Sequence, residues 1–187
     1  MESNQKTLAS HTEGLSSVQN LIFSALFLAL GLLLPFLTGQ VPQIGSMLLP
    51  MHIPVLLCGF LCGWPYGLLV GLITPLFRSV LFGMPPIYPT AVAMALELAS
   101  YGFFSGFFYR KFPKRISSIY AALILSMILG RVIWGAASIF LYQAAGKGFT
   151  WVMFFGGAFL NAIPGIVLQI IAIPALVAVL RKTAAHR

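Results

Sequence analysis

The stretch SSIYAALILSMILGRVIWGAASIFLY, Ser117 to Tyr142, decides the class of this chain. It is long enough to cross a bilayer as one helix, and its single ionisable residue, Arg131, sits deep inside it. A charge at that depth is costly unless it is paired or faces a polar cavity, so its default reading is function. Working outward, similar apolar runs span Val18 to Leu37, Met47 to Gly63, Tyr66 to Phe82, Ile87 to Tyr109 and Trp151 to Leu180. The expectation is an all-α integral membrane protein with six transmembrane helices.

Composition points the same way. Of 187 residues, 59% are hydrophobic and 7% charged, whereas a water-facing surface needs roughly a quarter of its residues charged. The formal net charge of +8 would suggest nucleic acid in a soluble protein. Here the basic residues collect at the ends of the apolar runs, where they act as topology determinants, so nucleic acid is excluded as a partner.

Residues 1–17 are polar, lack the basic start and cleavage site of a secretory signal, and read as a disordered cytoplasmic tail. The membrane domain is expected over 18–182, with 183–187 as a second cytoplasmic tail. The loop Arg110 to Arg115 carries four positive charges, and Arg181, Lys182 and Arg187 lie near the end of the chain. The loops at 38–46 and 83–86 carry no charge, and that at 143–150 only Lys147. By the positive-inside rule both termini and the basic loop are cytoplasmic, and Gln40, Pro85 and Lys147 lie on the outer side. Trp151 and Tyr88 suit an outer aromatic belt.

No repeat relates the two halves, and no phosphate-cradling loop, HExxH pair or GxSxG turn is present. The chain therefore reads as neither an enzyme nor a self-sufficient carrier, and active transport requires a partner with its own ATPase. Cys58 and Cys62 share a helix face without further ligands nearby, so they read as packing residues and no metal is expected.

The remaining polar residues are candidates for a small-molecule site. Arg78 lies near the outer end of the third span, where it either snorkels or meets a ligand. Glu97 in the fourth span and Arg131 in the fifth are too deep to snorkel. One carboxylate can neutralise only one of the two arginines, so one guanidinium is surplus and suits a carboxylate or phosphate. Asn161 and Gln169, eight apart, fall close to one face of the sixth span. Each serves either a ligand or interhelical hydrogen bonding, and the second role suits Gln169 better. His52 opens the second span as a helix-end packing residue or a ligand contact. The proline-rich segment Phe82 to Thr90, which includes Tyr88, forbids continuous helix and suits a lid. On the first span Ala25 and Ala29 form a small-xxx-small pair that permits close approach of another helix.

Together these features resemble the S component, the substrate-binding subunit, of energy-coupling factor (ECF) vitamin transporters. The resemblance rests on six helices, cytoplasmic termini, a long outer loop after the first helix and the Ala25-x-x-x-Ala29 pair. The stretches Met51 to Gly59 and Gly83 to Glu97, with Tyr101-Gly102, look most like the pantothenate subgroup. Subgroups for hydroxymethylpyrimidine or pyridoxine, and for riboflavin, share much of the pattern. The resemblance implies an ECF-type ABC importer in the bacterial cytoplasmic membrane. A coupling transmembrane subunit and two ATPase subunits would be its partners, with no cofactor in this chain and ATP used by the partners. Ala25 and Ala29 would be the docking surface. Arg131, Arg78, Glu97, Asn161, His52 and Tyr88 are the candidate ligand residues. A non-transport structural membrane protein is the rival class.

Overall fold

A computed structural model of the chain describes residues 17–37, 42–113 and 115–185. The tail to residue 16, the outer-loop residue Gln40 and Arg187 lie outside the described residues. Within them the protein is helical, without a strand. The elements are α1 (Ser17–Leu37), α2 (Pro42–Leu48), α3 (His52–Cys62), α4 (Trp64–Phe82), α5 (Val92–Lys111), α6 (Ile116–Ala144), α7 (Trp151–Phe155) and α8 (Ile163–Ala185). Wide π-type turns at Ile87–Ala91 and Gly156–Leu160 lead into α5 and follow α7.

Among the described residues five helical segments are long and apolar enough to cross a membrane: Ser17–Leu37, Trp64–Phe82, Ile87–Lys111, Ile116–Ala144 and Ile163–Leu180. The expected second crossing, Met47 to Gly63, is not one helix. It divides between α2 and the 11-residue α3, which at 1.5 Å per residue is only about 16 Å long. The break has a local cause. Leu49 precedes Pro50, whose ring disfavours helical backbone in the residue before it, and Leu49 takes a positive φ of 51°. Part of the expected loop, 42–46, is correspondingly helical.

The sixth span, expected to run unbroken from Trp151 to Leu180, is also divided. Gly156 and Gly157 weaken the helix, and Pro164 offers no N–H to the preceding turn, so a new helix starts with proline in its first turn. Asn161 lies in the break and Gln169 in α8, so they do not share one continuous helix.

The centre of the bundle is built by α3, α4 and α5. Gly63 turns the chain between α3 and α4 at φ 96°, a conformation that favours glycine, and Pro65 falls in the first turn of α4. Gly59, Gly67 and Gly71 then face Gly102, Gly106 and the Leu98 backbone of α5 so closely that a methyl group could not be added. A Cβ on Gly67, for example, would lie 2.5 Å from the Gly102 carbonyl oxygen. Helices approach this closely where side chains are absent, which is how membrane helices gain packing contacts without a hydrophobic driving force. Outside this core, α1 packs on α3 and α4, while α6 packs on α5 and α8 contacts α2, α3 and α6. On α1 the buried residues are Ser24, Phe27, Gly31 and Pro35; Ala25 and Ala29 are exposed on its other face.

Candidate functional site

The basic residues Arg110, Lys111 and Arg115 mark one end of α5; a cavity of about 350 Å³ lies around its other end. Twenty helical residues separate the two ends by about 30 Å. The cavity volume falls within the range of about 300–1,000 Å³ usual for small-molecule sites.

The deep wall is an ionic cluster. One turn apart on α5, Glu97 and Tyr101 share a face, and Gly130 of α6 leaves room for the Tyr101 ring, so α5 and α6 pack tightly just where Arg131 follows. Arg131 Nη1 consequently lies 2.8 Å from Glu97 Oε1. His52, the first residue of α3, stands on the other side with Nε2 3.5 Å from the same oxygen and its ring 5.2 Å from that of Tyr101. All three side chains are buried, and all three line the cavity. Breaking such a pair leaves an uncompensated charge, so this cluster holds α3, α5 and α6 in a fixed relation.

The second arginine stands apart from it. Arg78 is 4% exposed and lines the cavity, and no carboxylate pairs with it among the described residues. Its Nη1 donates to the Leu32 carbonyl of α1 at 2.8 Å. Leu32 lies in the turn before Pro35, a residue that removes a helical donor and crowds the preceding turn. The guanidinium carbon sits 5.3 Å from the centre of the Phe36 ring and 5.5 Å from that of Phe82, within cation–π range of both. Five donors in a rigid fork, one of them engaged by a carbonyl and the group held against two mutually packed rings, are suited to receive a planar anion. Of the two pairings open from sequence, Glu97 takes Arg131, and the surplus cation is Arg78.

Over these groups lies the proline-rich segment. α4 ends at Gly83 with φ 71°, whose N–H bonds the Ser79 carbonyl. The chain then passes through cis peptides at Met84-Pro85 and Tyr88-Pro89. Ser79 Oγ donates to the Pro85 carbonyl at 2.5 Å, and Met84, Pro85, Pro86 and Thr90 all line the cavity. The far end is clasped to α6: Tyr88 Oη donates to the Leu141 carbonyl at 3.0 Å, and Thr90 Oγ1 lies 3.4 Å from Tyr142 Oη.

Four of the six candidate ligand residues, Arg131, Arg78, Glu97 and His52, therefore meet in one cavity. The other two do not join them. Tyr88 spends its hydroxyl on Leu141 and its ring is exposed, while Asn161 is exposed in the break before α8. Gln169 is buried away from the cavity lining, and its Nε2 has no hydrogen-bond partner among the described residues. Sequence reasoning passed over Met94 and Trp134, which also line the site. Both were within reach of a spacing argument: Met94 lies three residues before Glu97 and Trp134 three after Arg131, on the same helix faces. Pro35, Leu49 and Gly157 also line it, and only folding brings them there.

Cys58 and Cys62 are free and buried, and Cys58 Sγ lies 3.6 Å from Ser24 Oγ of α1. Among the described residues no group of three or more His, Cys, Asp and Glu side chains is arranged to hold a metal.

Residues 19–177 match the family model described as the substrate-specific component of ECF transporters. No match is found among curated proteins or among solved structures.

Proposed function

We propose that this chain, which belongs to the substrate-specific component family of ECF transporters, binds a small carboxylate, pantothenate above the other water-soluble vitamins, in the cavity beneath the proline-rich segment. Membership makes it a substrate-binding transporter subunit and not an enzyme. The observation that carries the ligand reading is Arg78. It is a buried guanidinium on the cavity wall, with no acid beside it among the described residues and a contacting pair of aromatic rings next to it. A neutral pyrimidine or pyridine would give it no counter-charge; a carboxylate accepts two of its parallel N–H donors.

In this reading the cavity opens on the outer side, because the basic loop at the opposite end of α5 is cytoplasmic by the positive-inside rule. The chain lies in the bacterial cytoplasmic membrane. A coupling transmembrane subunit docks on the exposed face of α1 at Ala25 and Ala29, and two ATPase subunits supply the energy from ATP. Glu97, Arg131 and His52 shape the deep end of the site, with Trp134 and Met94 giving the ligand apolar surface.

The test is a titration of purified protein with pantothenate and with its alcohol, panthenol, beside a thermal-shift screen of water-soluble vitamins. Pantothenate is expected to bind at least about tenfold more tightly than panthenol, and Arg78→Met to erase the difference. Equal binding of the two, or a neutral vitamin or riboflavin leading the screen, would overturn the carboxylate reading. Uptake in vesicles is expected only when the coupling and ATPase subunits are present; concentrative uptake by the chain alone would refute dependence on them.

A further inference from the structure

Among the described residues the ionisable groups that line the cavity are Arg78, Arg131, Glu97 and His52. With the imidazole neutral, two guanidinium groups and one carboxylate leave a net charge of one positive unit. Residues 38–41, outside the described residues, carry no ionisable side chain. Glu97 is the term that sets it. It is buried, holds Arg131 at 2.8 Å, and is itself part of the cavity wall.

From this count, and resting on the carboxylate reading above, we infer that Glu97 is a specificity-determining residue: the cavity takes ligands with a single negative charge and rejects both their neutral analogues and more highly charged anions such as their phosphate esters. A monoanion at Arg78 brings the site to neutrality. A neutral ligand leaves Arg78 desolvated without a counter-charge. The phosphate ester of a carboxylate adds the phosphate's charge of about −1.5 to −2 to a ligand that already neutralises the site, in a space where charges are weakly screened and facing a carboxylate whose attraction for Arg131 is already in use. Specificity of this kind works by repelling the wrong ligand as well as holding the right one.

Competition binding on the purified full-length protein tests this, with pantothenate, its phosphate ester and panthenol as probes. Wild-type protein is expected to prefer pantothenate to each of the others by about tenfold or more. Glu97→Gln keeps the side-chain shape and adds one net positive charge, so the ratio of phosphate-ester to pantothenate affinity is expected to rise by about tenfold. Arg78→Met subtracts one, and the ratio of panthenol to pantothenate affinity is expected to rise by a similar factor. Because each readout is a ratio within one protein, a change in folded fraction cancels. Wild-type protein that binds pantothenate and its phosphate ester equally overturns the proposal without any variant. So do variants whose ratios stay at the wild-type values while pantothenate still binds, and that result leaves the carboxylate reading standing. If wild-type protein binds no carboxylate, the underlying reading fails as well.

Discussion

The same three helices, α3, α4 and α5, build two regions of opposite character. At the ends nearer the basic loop they touch through Gly59, Gly67, Gly71, Gly102 and Gly106, backbone against backbone, with no ionisable group involved. At the other ends they carry His52, Arg78 and Glu97, and side chains, prolines and open space separate them. The first region contributes packing and the second chemistry, and the difference teaches how a small membrane protein does both. Glycines clamp the helices together at one end, so the polar end can remain hollow without the bundle coming apart. Polar groups in that hollow are tolerated because they face a cavity and one another rather than lipid.

The largest expected effect is at the point where the polar region is itself structural. Arg131→Met leaves Glu97 buried without its cation, which typically costs about 3–5 kcal/mol. Thermal unfolding in detergent should show a stability loss of that order, together with loss of ligand binding. An unchanged midpoint would mean that the ionic cluster does not hold the helices and that only the glycine region does.

Next comes the clamp. Gly102→Ala places a methyl group against the Gly67 backbone of α4, where no flexible side chain can yield, and is expected to cost about 3 kcal/mol. The comparison is sharpened by what should not change: ligand affinity, corrected for the folded fraction, should stay at the wild-type value. A variant that keeps its stability but loses affinity would show that the two regions are not separable.

Arg78→Met tests the other side of that separation. Its loss removes one hydrogen bond and two ring contacts but strands no acid, so stability should move by about 1 kcal/mol. Pantothenate affinity, measured by calorimetry, should fall by about 2 kcal/mol, more than tenfold. A drop in stability as large as that of Arg131→Met would place Arg78 in the structural class instead.

The smallest effect on either region is expected at the exposed face of α1. Ala25→Trp and Ala29→Trp should each leave stability and ligand affinity within about 0.5 kcal/mol of wild type, because both side chains point away from the bundle. Uptake with the coupling module should nevertheless be lost, since the added bulk blocks helix approach. Retained uptake and retained complex in a pull-down would remove the docking assignment.

Much of this was legible in the chain. Apolar runs announced the helices, and Arg78, Glu97 and Arg131 stood out because charges in such runs are costly. The proline-rich segment announced its own irregularity. The two divided spans were harder to read, although their causes, Pro50 after Leu49 and Pro164 after the Gly156-Gly157 pair, were in view. Hydropathy averaged over a span carries no information about one residue's backbone angle. Spacing puts Asn161 and Gln169 on one helix face, but the break before α8 separates them, and the bond from the Tyr88 hydroxyl to the Leu141 carbonyl is a tertiary contact that spacing does not carry. Met94 and Trp134 went unnoticed because apolar side chains in an apolar helix carry no signal until a polar neighbour marks the face.

By itself the sequence determined that the protein is helical and apolar, where its charges lie along each helix, and that one cation must exceed the acids beside it. These follow from composition and from distance along a single helix. Which arginine is the surplus one was decided only by the tertiary structure. Helical periodicity gives the face of each residue relative to its own helix, but not the rotation of one helix against another. Here that rotation is set by Gly130 meeting the Tyr101 ring, which brings Arg131 to Glu97, while Arg78 is held apart against the paired rings of Phe36 and Phe82.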